Sequence, residues 1–391
     1  MAAGELRHNR PMAIYLDHAA TTPLGPGVLD AMLPYLTEHW GNPSSIYASA
    51  RRARQGLDEA RERIAATLDA KPREIVFTSG GSESVNLAIK GVAWAASARG
   101  RHIITSSIEH KAGMHTCQVL ERSGFDVTYL PVDRYGRVDP ADVAAAINER
   151  TTLVSVMYAN NEVGTIQRIA EIGAICRDRK VLFHTDAIQA AAHLPLRVDP
   201  LQVDLMSLAA HKVYGPKGIG ALFVRQGTAM LPQIQGGSQE RQRRAGTENV
   251  AGAVGFAVAL ELGQRGDGHE AALRDRLIEG LRALPGIDPT GDPAHRLANS
   301  ASFVAHGLEG GDLVAALDLE GIEASTGSAC TSGSSEPSHV LLAMRIDPQL
   351  AHGSLRLSLG RGTTADEVER TIAVIGTLSQ RLRPGMASVQ V

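Results

Sequence analysis

Short runs rich in β-branched and aromatic residues punctuate the chain from residue 74 to residue 225. They read EIVFT (74–78), HIITSS (102–107), FDVTYL (125–130), TLVSVMYA (152–159), VLFHTDA (181–187), VDLMSLA (203–209) and IGALFVR (219–225). Each is of strand length and predicts a strand. Between several of them, apolar residues recur every three to four positions, as in Ser82 to Ala96, HKAGMHTCQVLERSG (110–124) and IAEIGAICRDRK (169–180). Strands alternating with helices of this length predict a mainly parallel sheet covered on both faces. Beyond about Val250 the rhythm changes. A long helical stretch is followed by ASFVA, DLVAALDLEG, a Ser/Gly-rich loop, SLRLSLG and a final helix from about Ala365 to Arg383. That order predicts a smaller α+β unit. The expected organisation is an N-terminal extension over 1–13 without fixed structure, a large domain over 14–255, and a small domain over 256–391. Residues of about 14–25 are expected to pack with the small domain, which carries a loop at about 325–340.

Composition narrows the class. A chain of 391 residues can bury a large core, and 43% hydrophobic with 21% charged residues is ordinary for a globular protein. A net charge of −3 without a dense basic stripe gives no reason to expect nucleic acid as a partner. Apolar stretches are interrupted well short of a membrane span, and the opening MAAGELRHNRPMA has no apolar core of a secretory signal. Three cysteines without C-x-x-C spacing fit neither a disulfide scaffold nor a cysteine zinc site. The expectation is a cytoplasmic enzyme with no membrane partner.

Candidate chemistry gathers in four places and around one lysine. Lys212 follows His211 at the end of an apolar run and precedes a turn stiffened by Gly215, Pro216, Gly218 and Gly220. Desolvation there would free its amine for carbonyl chemistry, although a strand-end lysine reaching solvent explains the position equally well by itself. TSGGSES (78–84) is a glycine turn between strand and helix, able to offer Gly81 and Ser82 to an anion; an ordinary turn with a serine cap is the plainer reading. In FHTDAIQA (183–190), Asp186 ends an apolar strand and needs a cationic partner, with Gln189 three residues on. Cys330 lies in STGSACTSGSSEPSHV (325–340), a polar loop without apolar periodicity, whereas Cys117 and Cys176 sit within helical patterns as buried thiols. Cys330 is therefore either a nucleophile or an incidental exposed thiol. Arg356 in HGSLRLSLG alternates with Leu355 and Leu357, so it either clamps a carboxylate or faces solvent from an edge strand.

The motifs YLDHAATTP (15–23), GNPSS (41–45), EIVFTSGGSESVNLAIKG (74–91), EHKA (109–112), ANNEVGTI (159–166), HTDAIQA (184–190), HKVYGPKGIGAL (211–222), RRAGTENV (243–250), STGSACTSG (325–333) and SLRLSLG (354–360) occur in this order over nearly the whole chain. In these motifs the chain resembles the cysteine desulfurases of the iron–sulfur-cluster and nitrogen-fixation type, in the class V aminotransferase superfamily. The stretch around Cys330 resembles the group with a long active loop. The resemblance implies the fold type I of pyridoxal-phosphate enzymes, with a seven-stranded, mainly parallel sheet in the large domain. It also implies release of sulfur from L-cysteine to give alanine and a persulfide on Cys330.

The same resemblance implies a role for each site residue. Lys212 would carry pyridoxal 5′-phosphate and shuttle protons, Asp186 would pair with the ring nitrogen, Gln189 with the phenolic oxygen, and His110 would stack on the ring. Gly81 and Ser82 would cradle the phosphate beside His211, and Thr247 would reach the phosphate held by the other subunit of a homodimer. Asn161 and Arg356 would hold the substrate carboxylate, with Asn42 close by. The persulfide would pass to a scaffold or tRNA-modifying acceptor; no resident metal is implied, beyond a transient contact of Cys330 with a cluster. Two positions depart from the pattern: Ala209 stands where many relatives have a serine, and Tyr47 and Ala50 replace a histidine and a glycine after GNPSS. A related lyase, hydrolase or aminotransferase would not need Cys330. A scaffold protein would not need Lys212 and Asp186, and a dinucleotide-binding dehydrogenase lacks its glycine fingerprint here.

Overall fold

The computed structural model describes residues 13–266, 268–327 and 336–383. Strand β1 (Ile14–Tyr15) lies outside the main sheet, which is built from β2 (Ile75–Thr78), β3 (His102–Ser106), β4 (Asp126–Leu130), β5 (Thr151–Ser155), β6 (Leu182–Asp186), β7 (Leu205–Ala209) and β8 (Gly220–Val224). Their order across the sheet is β2-β8-β7-β6-β5-β3-β4. Pairings from β7 through β4 are parallel, and β8 alone runs antiparallel to both of its neighbours. The expected seven-stranded, mainly parallel α/β sheet is present, and every predicted strand of this region matches an observed one. Strands β5, β7 and β8 are buried at every residue, because helices cover both faces.

The alternating helices of the sequence pattern appear with the strands. Helix Gly81–Ala95 follows β2, Lys111–Arg122 follows β3, and Ile169–Asp178 precedes β6. Two further helices, Val28–Thr37 and Ala48–Leu68, pack with Val250–Gly263 on the main core. The last of these is apolar on nearly all sides and correspondingly buried.

A separate apolar cluster joins Ile14 and Leu16 to Leu277, Phe303, Leu317, Leu357 and Ile375. Its three-stranded antiparallel sheet has the order β12-β10-β9, with β9 (Ile287–Pro289), β10 (Ser300–Ala305) and β12 (Ser354–Ser358). Parallel pairing of β1 with β11 (Ile322–Glu323) ties the start of the described chain to this cluster. Helix Ala365–Leu382 closes it, opened by a capping box in which Thr364 and Glu367 satisfy each other's backbone amides.

Candidate active site

The carboxyl ends of parallel strands gather side chains from distant parts of a chain at one edge of a sheet. Here β6 ends on Asp186 and β7 ends on Ala209, followed by a short 3-10 turn, Ala210–Lys212. A cavity of about 340 Å3 opens at this edge. Lys212, Asp186, Gln189, His110 and His211 line it, together with Gly81, Ser82, Asn161 and Arg356. Nine residues singled out in the sequence therefore meet in one place. Asn42 and Thr247 are exposed and do not line this cavity. Cys330 lies outside the described residues, but Gly327, three positions before it, is on the cavity wall.

The lysine is held by backbone. Its Nζ donates to the carbonyls of Ala19 and Ala20 at 2.5 and 2.6 Å, and Gln189 Nε2 also donates to Ala19 O at 2.8 Å. These carbonyls belong to the LDHAATTP run, which the sequence marked as a motif without assigning any of its residues a place in the site. Asp186 is buried and accepts from the Ile188 amide at 3.0 Å. Burial pushes its carboxyl up to about 6, opposed by that hydrogen bond and by the Lys212 charge. A cationic ring nitrogen would reverse the effect of burial.

Both histidines are driven toward the neutral form. His110 caps helix Lys111–Arg122 by accepting from the Ala112 amide at 3.1 Å. Burial, then the positive charge of Lys212, lowers it to about 4. His211 is lowered to about 4 by the same two causes, and its Nδ1 lies 3.2 Å from Thr21 Oγ1. A neutral, half-enclosed imidazole at His110 is suited to lie against an aromatic ring.

The anion end is formed by the start of helix Gly81–Ala95, which has no side-chain cap. Gly80, with φ of 154°, immediately precedes this helix, and Gly81 and Ser82 of its first turn line the cavity. A Cβ on Gly81 would stand 2.3 Å from Ile188 Cδ1, so any larger residue there must push the Ile188 side chain aside. Ala209 faces this same corner, and a serine there would add a hydroxyl at the position where the chain departs from the resemblance. The donor set is thus an amine, a buried carboxylate opposite it, a neutral imidazole and an uncapped helix start. It fits a phosphorylated aromatic aldehyde whose ring nitrogen carries a proton.

Among the described residues, Arg356 is the one arginine on the cavity wall. It sits on an edge strand yet is only 2% exposed, because its guanidinium turns inward. Its Nη1 donates to Asn161 O at 2.8 Å and its Nη2 to Asp17 Oδ1 at 2.7 Å. Asp17 had no signal in the sequence beyond its place in the LDHAATTP run. Glu109, next to His110, is buried, accepts from Ser106 Oγ and the Met157 amide, and is pushed up to about 8 by burial.

The Aminotransferase class-V family model matches residues 14–371. A cysteine desulfurase IscS of Methanosarcina thermophila is 50% identical over 384 residues, 97% of this chain and 95% of that protein. Among solved structures, a NifS-like protein has a TM-score of 0.89 at 37% identity, covering 94% of this chain and 99% of its own. SspA in complex with cysteine has a TM-score of 0.81 at 39% identity, covering 88% and 98%.

Proposed function

Because the chain belongs to the class-V aminotransferase family, and within it to the cysteine desulfurases of the NifS and IscS type, we propose that the cavity binds pyridoxal 5′-phosphate on Lys212 and desulfurates L-cysteine there. The observation that carries this reading is the convergence of Lys212, Asp186, His110 and the uncapped Gly81–Ser82 helix start on one cavity. When bound, the cofactor supplies the conjugated electron sink that cleavage of a β-carbon–sulfur bond requires.

The chain's own residues supply the rest. Asp186 would keep a proton on the cofactor's ring nitrogen, and His110, neutral above about pH 4, would serve as the stacking residue without competing for charge. Gln189 addresses the phenolic oxygen, and the amides of Gly81 and Ser82, with His211 beside them, receive the phosphate. Arg356 and Asn161 hold the substrate α-carboxylate, and we assign Asn42 to the same ligand. Lys212 Nζ moves the proton at the substrate's α-carbon. The Cys330 thiolate attacks the substrate sulfur: the S–S bond forms, the carbon–sulfur bond breaks, and the substrate's thiol proton stays on the outer sulfur. The β-carbon keeps the electron pair and takes a proton from solvent, in place of the one Cys330 released, to become the methyl of alanine. The Cys330 persulfide is then handed to an acceptor protein for iron–sulfur cluster assembly or tRNA thiolation.

We assign the enzyme to a homodimer. Thr247 is exposed and away from its own chain's cavity, as a residue serving a neighbour's phosphate would be. Helix Val28–Thr37 also exposes Leu29, Leu33 and Leu36, followed by Trp40 at 72% exposure, an apolar stripe that a second copy would cover. The two apolar clusters support two domains, with the start of the described chain packed on the second. No helix among the described residues is long and apolar enough to cross a membrane, and we place the activity in the cytoplasm.

The test is release of alanine and sulfide from L-cysteine with dithiothreitol, for wild type and Cys330→Ala, with absorbance spectra of both. A yellow wild type that makes both products and a yellow variant that makes neither is the expected result. A yellow wild type inert toward cysteine would overturn the substrate assignment while leaving the cofactor in place, and a colourless one would overturn both.

A further inference from the structure

Arg356 already holds a carboxylate, and the chain itself provides it. Nη2 of the buried guanidinium is ion-paired with Asp17 at 2.7 Å, while Nε is buried and has no acceptor among the described residues. Nε and Nη2 form one edge of the guanidinium, the edge that a carboxylate grips with both oxygens. Asp17 occupies half of that edge. Its backbone is fixed in place: Ser358 N donates to Leu16 O at 2.7 Å, Ala19 N donates to Ser358 Oγ at 2.9 Å, and Asp17 itself bridges to Ser358. Two residues further on, the same segment offers the carbonyls of Ala19 and Ala20 to Lys212. Asp17 is thus carried on a rigid strap along the cavity wall.

We propose that Asp17 is a specificity-determining residue that competes with the α-carboxylate of the incoming amino acid for Arg356, and so sets how tightly carboxylated substrates bind. The proposal rests on the reading of Arg356 as the carboxylate clamp. One buried cation facing two carboxylates binds the second less well than it would bind it alone, because the two anions repel and share the same donors. Removing the Asp17 charge while keeping its acceptor oxygen leaves the arginine in position with its charge unopposed. Ligands with a carboxylate gain from this, and ligands without one do not.

The experiment titrates the cofactor absorbance of the holoenzyme with L-alanine and with cysteamine, an aminothiol lacking a carboxylate, in wild type, Asp17→Asn and Arg356→Gln. In Asp17→Asn the dissociation constant for L-alanine is expected to fall on the order of tenfold, with the cysteamine constant unmoved. The KM for L-cysteine should fall more than kcat changes. Equal or weaker alanine binding in Asp17→Asn overturns the proposal, as does a parallel shift for both ligands or loss of the cofactor, each of which marks Asp17 as structural. In Arg356→Gln, alanine binding must weaken and cysteamine binding must not. If instead both are unaffected, the clamp reading fails, and that result is distinct from a failure of Asp17 to compete.

Discussion

Replacing Asp186 with asparagine should stabilise the protein without its cofactor and weaken its hold on the cofactor. The carboxyl is buried at the end of β6, and burial pushes it up to about 6 from an ordinary 3.8. Below pH 3.8 the folded and unfolded chains are both protonated there, and the group costs nothing. Between 3.8 and about 6 the unfolded chain loses the proton that the folded chain retains, so stability falls as pH rises. Above that window the full cost is about 3 kcal/mol. Asparagine keeps the oxygen that accepts from the Ile188 amide and never ionises. Urea denaturation of cofactor-free protein should therefore show Asp186→Asn ahead of wild type by about 1.5 kcal/mol at pH 5 and about 3 kcal/mol at pH 8. Glu109 is pushed up mainly by burial and further by the Asp186 charge, so removing that charge eases Glu109 as well and adds to the difference in the same direction. With pyridoxal phosphate added, the order should reverse, because only the carboxylate neutralises a protonated ring. A variant no more stable than wild type at pH 8 would refute the claim that this charge is held at a cost until the ring arrives.

Gly81→Ala places a Cβ 2.3 Å from Ile188 Cδ1, and overpacking of this kind costs about 1–3 kcal/mol. Because the strain falls at the helix start, equilibrium dialysis should show cofactor affinity reduced by more than the fold is destabilised. Glu240→Ala removes the acceptor for both arms of buried Arg61 and for the Phe77 amide, where loss of one partner costs about 3–5 kcal/mol by urea denaturation. That pair also pins Glu240, Arg241 and Gln242, three consecutive residues with φ of 47°, 56° and 64°, ahead of the segment bearing Thr247. Cys117 and Cys176 are buried and pushed up to about 12, so a chromogenic disulfide reagent should titrate one thiol rapidly in the native protein and three in urea. Two or more fast thiols would contradict that burial.

The sheet was legible because each strand depends on a local pattern, and so were Lys212, Asp186 and the glycine turn as candidates, whereas His110 and Asn161 were named only through the resemblance. Apolar runs of strand length marked β2 to β8, and an acid, a lysine and a glycine turn at strand ends marked the cavity. The reversal of β8 was not legible, since an apolar run carries no direction. The burial of Arg356 was not decided either. Alternation with Leu355 and Leu357 places it on the opposite face of an edge strand, and only the folded chain shows that this face meets Asp17 and Asn161. The strap is the sharper case. Lys212 is held by the carbonyls of Ala19 and Ala20 across more than 190 positions of sequence, and a carbonyl is common to every residue type. A motif such as LDHAATTP can therefore contribute backbone carbonyls that no side chain announces, beside side-chain contacts such as Thr21 with His211 and Asp17 with Arg356. Substitutions at Ala19 or Ala20 that preserve the backbone path should be tolerated, whereas those that move it should displace the lysine. The chemistry of this site depends on backbone position as much as on the identity of its reactive side chains.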